Sequence, residues 1–337
     1  MTVSLRIVIP MAGAGSRLRP LTWSRPKPLV SLAGATVLDH MLKMFETVPD
    51  PERTEFIFIL SPGQEPLIKA HMQRYHPRKK VFYLEQPEKK GQSDALWQAR
   101  DLMVGPMLMV FSDTLIENTF DCIKDEPLDG AAWVKAVPDP RRFGVAEVDS
   151  KNIITRLIEK PNDMNNNLAV VGCYWFRSGE QLTAAIKEQI EKNIQFHGEF
   201  FLVDAINLML ESGLKMRTEP VKTWLDAGTS DALLDTNHYL LDHGRSNNPE
   251  MMLDDSNVII PPVFIHPEAR VEKSIIGPYT SIGAGAVIQG SSIKDSILSP
   301  GVHVTNTHLD GSLLGHDVVM NGMMGKFNLG DNSSANW

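Results

Sequence analysis

Few folds accommodate the spacing found in the last quarter of this chain. In "SIIGPYTSI" from residue 274, "SILSPGVHV" from 296 and "SLLGHDVVM" from 312, one apolar residue is followed six positions later by another. The pairs are Ile276 and Ile282, Leu298 and Val304, and Leu314 and Met320. A six-residue period suits neither an amphipathic helix nor a simple strand. It marks a β-helix, in which each rung sends one aliphatic side chain inward. Glycine and turn residues recur between the rungs, and the starts, 22 and then 16 residues apart, predict about four uneven coils.

Upstream, short apolar runs alternate with stretches of helical spacing. "FIFIL" at 56–60, "KVFYL" at 80–84, "PMLMVFSD" at 106–113, "GAAWVKAV" at 130–137 and "AVVGCYWF" at 169–176 read as strands. "EPLIKAHMQRY" and "DALWQARDLM" read as helices between them. The alternation predicts an α/β fold: a Rossmann-like, mainly parallel sheet flanked by helices, followed by a short left-handed β-helix. A chain of 337 residues, 42% hydrophobic, is long enough for two domains. The expected division is a catalytic domain over 1–242, a polar linker over 243–250, a β-helix over 251–325 and a polar tail over 326–337.

Composition excludes several function classes. No run approaches the roughly 18 apolar residues of a membrane span, and the N-terminus enters a strand directly, so a cytoplasmic protein without a membrane partner is expected. Cys122 and Cys173 are too few and too isolated for a disulfide framework or a thiolate metal site. His71, His76, His238 and His243 lack zincin-type spacing. The net charge is −8, with basic residues gathered near the N-terminus. That pattern suits a small anionic substrate and not a nucleic acid, which would want an extended basic face.

The basic cluster lies in "IVIPMAGAGSRLRPLTWSRPKPLV", residues 7–30. Ile7, Val8 and Ile9 read as a buried strand; Gly13, Ala14 and Gly15 make a turn of small residues with exposed amides. Such a turn, leading toward a helix start, can bind phosphate, with Arg17, Arg19 and Lys27 adding positive charge. The dinucleotide fingerprint fails, because Leu18 stands where its third glycine belongs. The nucleoside-triphosphatase loop fails too, because its lysine comes only at Lys27, beyond two prolines.

"GAGSRLRPLTWSRPKP" resembles the signature of the sugar-1-phosphate nucleotidyltransferase family, G-x-G-[TS]-R-L-x-P-x-T followed by K-P. The resemblance implies that the loop at Ala12, Gly13, Gly15 and Ser16, together with Arg17, cradles a nucleoside triphosphate, and that Lys27 steadies the phosphates during transfer. Ala35 and Thr36 stand where the family often has a second K-P. Two strand-end carboxylates, in "MLMVFSDTL" and "TWLDAGTSDALL", resemble the family's Mg²⁺ ligands. The resemblance thus assigns the metal to Asp113 and Asp226, with Ser112 replacing the usual glycine. Magnesium needs few protein carboxylates, the rest of its shell coming from phosphate and water.

In "YLEQPEKKGQSDALWQA" the resemblance makes Gln86 the reader of the base and Gly91 the point of close approach. In "RRFGVAEVDSKNIITRLIEKP" it gives Gly144 room for the sugar, Glu159 the hydroxyls and Lys160 the incoming phosphate. In "NNNLAVVGCYWF" it places Val170 and Gly172 at the sugar pocket. The implied activity joins a nucleoside triphosphate, TTP or UTP favoured, to a sugar-1-phosphate, glucose-1-phosphate favoured. The form with a C-terminal β-helix resembles the longer glucose-1-phosphate thymidylyltransferases. Alternatives are a mannose-1-phosphate guanylyltransferase, a non-catalytic nucleotide-sugar-binding subunit, and an acyltransferase using His303, His308 or His316 of the β-helix. Exposed rungs and the absence of carried-over active residues there point to assembly, and so to a homo-oligomer.

Overall fold

The computed structural model describes residues 5–124, 127–247 and 256–337. Two compact units form, one from Met1–Gly13 with Met41–Trp224, the other from Ala14–His40 with Leu225–Trp337. The strands that precede the β-helix are β1 (Arg6–Pro10), β2 (Ser31–Leu32), β3 (Ala35–Thr36), β4 (Glu55–Leu60), β5 (Lys80–Glu85), β6 (Met107–Val110), β7 (Thr114–Glu117), β8 (Gly130–Ala136), β9 (Gly144–Val148), β10 (Ile154–Glu159), β11 (Leu168–Phe176), β12 (Met216–Pro220) and β13 (Thr223–Asp226). The helices are α1 (Val37–Met44), α2 (Glu65–Tyr75), α3 (Gln92–Gln98), α4 (Gly179–Glu191), α5 (Leu202–Glu211) and α6 (Ser230–Leu240).

The first unit is built on a sheet of order β10-β9-β11-β6-β1-β4-β5, with β8 and β12 continuing from β11. The strands β6, β1, β4 and β5 are mutually parallel. Their sequences are unbroken apolar runs, as strands covered on both faces require, and Ile7, Val8 and Ile9 are 0% exposed. The helices α2 and α3 supply the connections between β4, β5 and β6. Beyond β6 the sheet is extended by the antiparallel strand β11, on which β8 and β9 pair, also antiparallel. The sheet is therefore mixed, parallel in the half that follows the N-terminal strand.

In the second unit, three five-stranded parallel sheets stack side by side, the arrangement of the expected left-handed β-helix. Ile265, Ile282, Leu298, Leu314 and Leu329 lie in register, so a coil takes 15 to 17 residues, and the described residues form five. The 22-residue step in the sequence is now explained. The stretch from 274 begins on the first sheet and those from 296 and 312 on the second, so one face of six, Ile276 to Ile282, is followed by one coil of 16, Ile282 to Leu298. Residues 326–337 are not a tail: Asn328–Leu329 and Ser334–Asn336 pair with the preceding coil and close the fifth. Phe327, Leu329 and Ala335 pack against the core from this segment, with a small alanine where the earlier rungs carry a larger side chain.

The expected linker differs as well. The helical path continues past α6 and breaks at His243 and Gly244, whose φ values are −111° and +87°; Asn247 already donates its N–H to Val263 O and exchanges hydrogen bonds with Ile265 of the first coil. Residues 248–250 of that linker, and 251–255 at the expected start of the β-helix, lie outside the described residues.

Two corners of the β-helix carry buried hydroxyls. Ser274, Ser291 and Thr307 each donate to the carbonyl two residues back, and each accepts the N–H of Ser291, Thr307 or Met323 from the next coil at 3.1–3.3 Å. Ser296 and Ser312 likewise accept the N–H groups of Ser312 and Phe327. Backbone groups that the turns leave unpaired are satisfied without water. Among the described residues, no helix is long and apolar enough to cross a membrane.

Ser291→Ala should leave the Thr307 N–H buried and unpaired. We expect a loss of about 1–3 kcal/mol in denaturant unfolding, although the substitution removes only one oxygen.

Candidate active site

The strand order fixes where a site can form in the first unit. From β1 the chain moves to β4 and β5 on one side and returns to β6 on the other, so the order reverses at β1. In open α/β sheets, ligands bind beyond the carboxyl ends of strands at such a reversal. The residues there are Met11–Gly13 after β1, Ser61 after β4, Gln86 after β5 and Asp113 after β6.

Hydrogen bonds tie these ends together. The Met11 N–H donates to Ile59 O at 2.7 Å, the Ser61 hydroxyl to Ala12 O at 2.7 Å, and the Gln86 N–H to Leu60 O at 2.8 Å. Gly13 has an ordinary negative φ, and a Cβ built on it would meet nothing within 4 Å. Neither backbone nor packing demands a glycine at this position, so the space above it is available to a ligand.

Gln86 is 4% exposed, and its amide orientation is fixed. Its Nε2 donates to an oxygen of the Asp94 carboxylate at 2.7 Å and to Gly91 O at 3.1 Å. A carboxylate accepts only, so the nitrogen must face Asp94. Gly91 has φ +103°, and a Cβ would fall 2.6 Å from the backbone of Phe200. Close approach of chain to chain thus accounts for this glycine. Asp94 and Phe200 were not singled out from sequence; only the fold brings them to Gln86.

Asp113 lies in a tight turn, where the Thr114 N–H donates to Phe111 O at 3.1 Å. Ser112 is not among the positive-φ residues, so the loss of the usual glycine introduces no backbone strain. The turn leans on an irregularity in β11, whose pairing with β8 shifts between Val170 and Tyr174. There the Phe111 N–H donates to Gly172 O at 2.9 Å and the Thr114 hydroxyl to Val171 O at 2.8 Å. Gly172, at φ +78°, leaves room for the Phe111 ring, which a Cβ would meet at 2.5 Å. Val170 is buried beside it.

Gly144 and Glu159 face each other across β9 and β10. A Cβ on Gly144 would come 3.3 Å from Glu159 Oε2, so the glycine makes space for the carboxylate. Burial pushes the Glu159 carboxyl above the usual glutamate range, opposed by Lys160 and reinforced by Asp204 and Glu199. Lys160 holds φ +46°, an uncommon conformation for a side-chain-bearing residue, while its N–H donates to Phe143 O at 3.0 Å. Its Nζ sits 3.8 Å from Glu159 Oε1 and 4.8 Å from the centre of the Phe201 ring.

The second unit holds the remaining candidates. Gly15 has φ +58°, and its carbonyl accepts from the Thr22 hydroxyl at 2.7 Å and from the Leu18 N–H at 2.9 Å. The expected helix start is absent: Ser16–Leu18 form a single 3-10 turn. Pro20 forces Arg19 into extended backbone and stops the turn there. Any anion held here must rely on loop amides and cations, not on a helix dipole. Leu18 is fully buried and anchors the turn; Ser16 and Arg17 are exposed. Lys27 is half-buried at the start of a second short turn.

Thr36 has a structural role, and Ala35 pairs with Leu32 across β2 and β3. The Thr36 hydroxyl and N–H both donate to Asp39 Oδ2, at 2.7 and 2.8 Å, and the Asp39 N–H returns to the hydroxyl, a reciprocal cap that starts α1. Asp226 ends β13; its Oδ1 accepts the Gly228 N–H at 2.7 Å and its carbonyl the Thr236 hydroxyl at 2.9 Å. Thr229 then caps α6. In the β-helix, His303 and His308 are exposed and belong to different sheets, while His316 is half-buried.

A sheet reversed at β1 with polar residues beyond its strand ends, and a parallel β-helix in the second unit, define a two-unit α/β protein. A family model described as Nucleotidyl transferase matches residues 7–243, and the chain belongs to that family. It is 31% identical to the bifunctional protein GlmU of Methanocaldococcus jannaschii, over 92% of this chain and 77% of that protein. It is 24% identical to a glucose-1-phosphate thymidylyltransferase of Streptomyces griseus, over 93% of each. A solved structure from Bacillus anthracis, assigned as a glucose-1-phosphate thymidylyltransferase and bound to sucrose, shares the fold. Its TM-score is 0.61 at 22% identity, covering 73% of this chain and 97% of that one.

The raised Glu159 pKa makes a prediction about stability. Because the folded state disfavours the ionised form, the contribution of Glu159 is fully present below the unfolded pKa, about 4.3, and is lost as pH rises through the folded value. Glu159→Gln should therefore unfold like the unmutated protein near pH 4 and at a higher temperature at pH 7, as read by thermal melts across that interval.

Proposed function

We propose that this enzyme joins a nucleoside triphosphate to a sugar-1-phosphate, releasing pyrophosphate, with TTP used first, UTP next, and glucose-1-phosphate as the sugar substrate. An oxygen of the sugar phosphate attacks the α-phosphorus; the new P–O bond forms as the bond to the β-phosphate oxygen breaks, and pyrophosphate leaves with that electron pair. Nothing covalent is asked of the protein. Positioning and charge neutralisation carry such reactions, and Arg17, Lys27 and Lys160 supply them. Asp113 and Asp226 would hold Mg²⁺, whose hard oxygen preference their carboxylates meet, and which when bound neutralises phosphate charge. Glu159 and the space at Gly144 receive the sugar, beside Val170 and Gly172.

The observation that carries the reading is the fixed amide of Gln86. With both Nε2 hydrogens directed to Asp94 and Gly91 O, the side chain offers a ligand its Oε1 alone. Thymine and uracil answer with N3–H and guanine with N1–H, whereas cytosine and adenine present a ring lone pair there. The family relatives include a glucose-1-phosphate thymidylyltransferase, which supports a pyrimidine over guanine.

The test is pyrophosphate release from each nucleoside triphosphate with a panel of sugar-1-phosphates and Mg²⁺. We expect kcat/KM for TTP to exceed that for CTP by at least about a hundredfold, since a site built on hydrogen bonds rejects a mismatched partner strongly; equal values would remove the base assignment. Asp94→Asn frees the Gln86 amide to flip, because asparagine can donate as well as accept, and the TTP-to-CTP ratio should fall. Asp113→Asn should reduce turnover by about a hundredfold or more while the melting temperature holds.

A further inference from the structure

The fifth coil of the β-helix, which sequence assigns to a tail, is bonded to both catalytic segments of its own unit. Asp331 is the centre of the contact. Its side chain is 6% exposed and forms an ion pair with Arg25, Nε to Oδ2 at 3.2 Å. The same Oδ2 accepts from the Ser24 hydroxyl at 2.9 Å. The other oxygen, Oδ1, accepts the His316 N–H at 2.9 Å, so the coil beneath orients the carboxylate toward the loop.

Around this pair the fit is close. A Cβ on Gly330 would lie 2.8 Å from Pro20 O, and one on Gly315 would lie 2.6 Å from Asp331 Oδ1. The Asn328 amide nitrogen reaches Arg19 O at 3.4 Å and the Ser230 hydroxyl at 3.1 Å, while Lys326 pairs with Asp231 at 3.3 Å. Ser24 and Arg25 lie between Arg17 and Lys27 in the chain; Ser230 and Asp231 begin the helix that follows Asp226. One coil therefore grips the chain between Arg17 and Lys27 and just after Asp226.

We propose that Asp331 is a positioning residue for nucleotidyl transfer: by holding Ser24 and Arg25 it fixes the segment that carries Arg17 and Lys27, and this makes the last β-helix coil part of the catalytic scaffold. The inference rests on the proposed reading for the roles of Arg17 and Lys27; the contact itself does not. A charge this well covered is held by its partner and hydrogen bonds, and removing one side leaves the other buried and unpaired. Misplacement of a phosphate-binding cation by about an ångström is enough to cost about a hundredfold in rate.

Two measurements separate the tether from its consequence. Hydrogen exchange by mass spectrometry over residues 14–30 reads the tether directly. Asp331→Asn and the loop-side variant Arg25→Gln, which leaves the β-helix untouched, should each speed exchange in that segment. Unchanged protection in both would overturn the proposal, whatever the activity. In steady-state kinetics, Asp331→Asn should lower kcat/KM for the nucleoside triphosphate at least tenfold while KM for the sugar-1-phosphate holds, because the sugar-side residues belong to the first unit. The double variant should lose no more than the worse single one, since both act through one contact. Equal losses toward both substrates, or additive losses, would mean a general structural role and would overturn it. If the unmutated enzyme turns over no nucleoside triphosphate, the functional reading fails instead, and exchange still decides whether the tether exists.

Discussion

One strand with no polar side to spare determines the first unit. β1 is paired in parallel on both edges and covered on both faces, so Ile7, Val8 and Ile9 have no contact with water. A strand in that position cannot alternate polar and apolar residues, and its neighbours must be reached by long connections. The chain does this by moving out to β4 and β5 and returning to β6 on the opposite edge. Everything placed at the carboxyl ends follows: the loop after Pro10, Gln86 at the end of β5, and the Asp113 turn after β6.

The same constraint explains which parts of the fold were legible. Strands buried on both faces are written as apolar runs, and "FIFIL" and "KVFYL" fall on β4 and β5 within a residue. The helix expected over "EPLIKAHMQRY" is α2 itself. The β-helix was visible where successive rungs hold large apolar residues six apart and invisible in the last coil, where Leu329 is followed at that spacing only by Ala335. Its corners escaped notice because serine and threonine look like ordinary turn residues. Only in the fold do their hydroxyls bridge successive coils.

At the site, single residues could be named but their reasons could not. Gly91 and Gly172 are glycines because the Phe200 backbone and the Phe111 ring crowd them. Gly13 is the exception, since nothing in the chain crowds it. Thr36, which departs from the family pattern, serves to begin α1, and Ala35 pairs with Leu32 in the hairpin before it. Such distinctions depend on partners distant in sequence, such as Gly91 with Phe200 or Ser24 with Asp331, which no local pattern encodes.

Two carboxylates outside any motif share one physical device. Asp94 fixes the amide of Gln86, and Asp331 fixes Ser24 and Arg25. Each is acceptor-only, so each removes an ambiguity: which way an amide points, or where a basic loop rests. A neutral acceptor of the same size would satisfy the same donor with less desolvation, but it could also turn around and donate. The charged form accepts the larger burial cost in exchange for a single orientation. Preorganisation is what phosphoryl transfer needs from a protein that contributes no covalent chemistry, because groups already aimed at developing charge need not reorganise during reaction. On this view the β-helix contributes to the nucleotide side of the site. Its last coil supplies a rigid partner for the stretch between the buried anchors Leu18 and Leu21 on one side and Leu29 and Val30 on the other, where Ser24 and Arg25 lie.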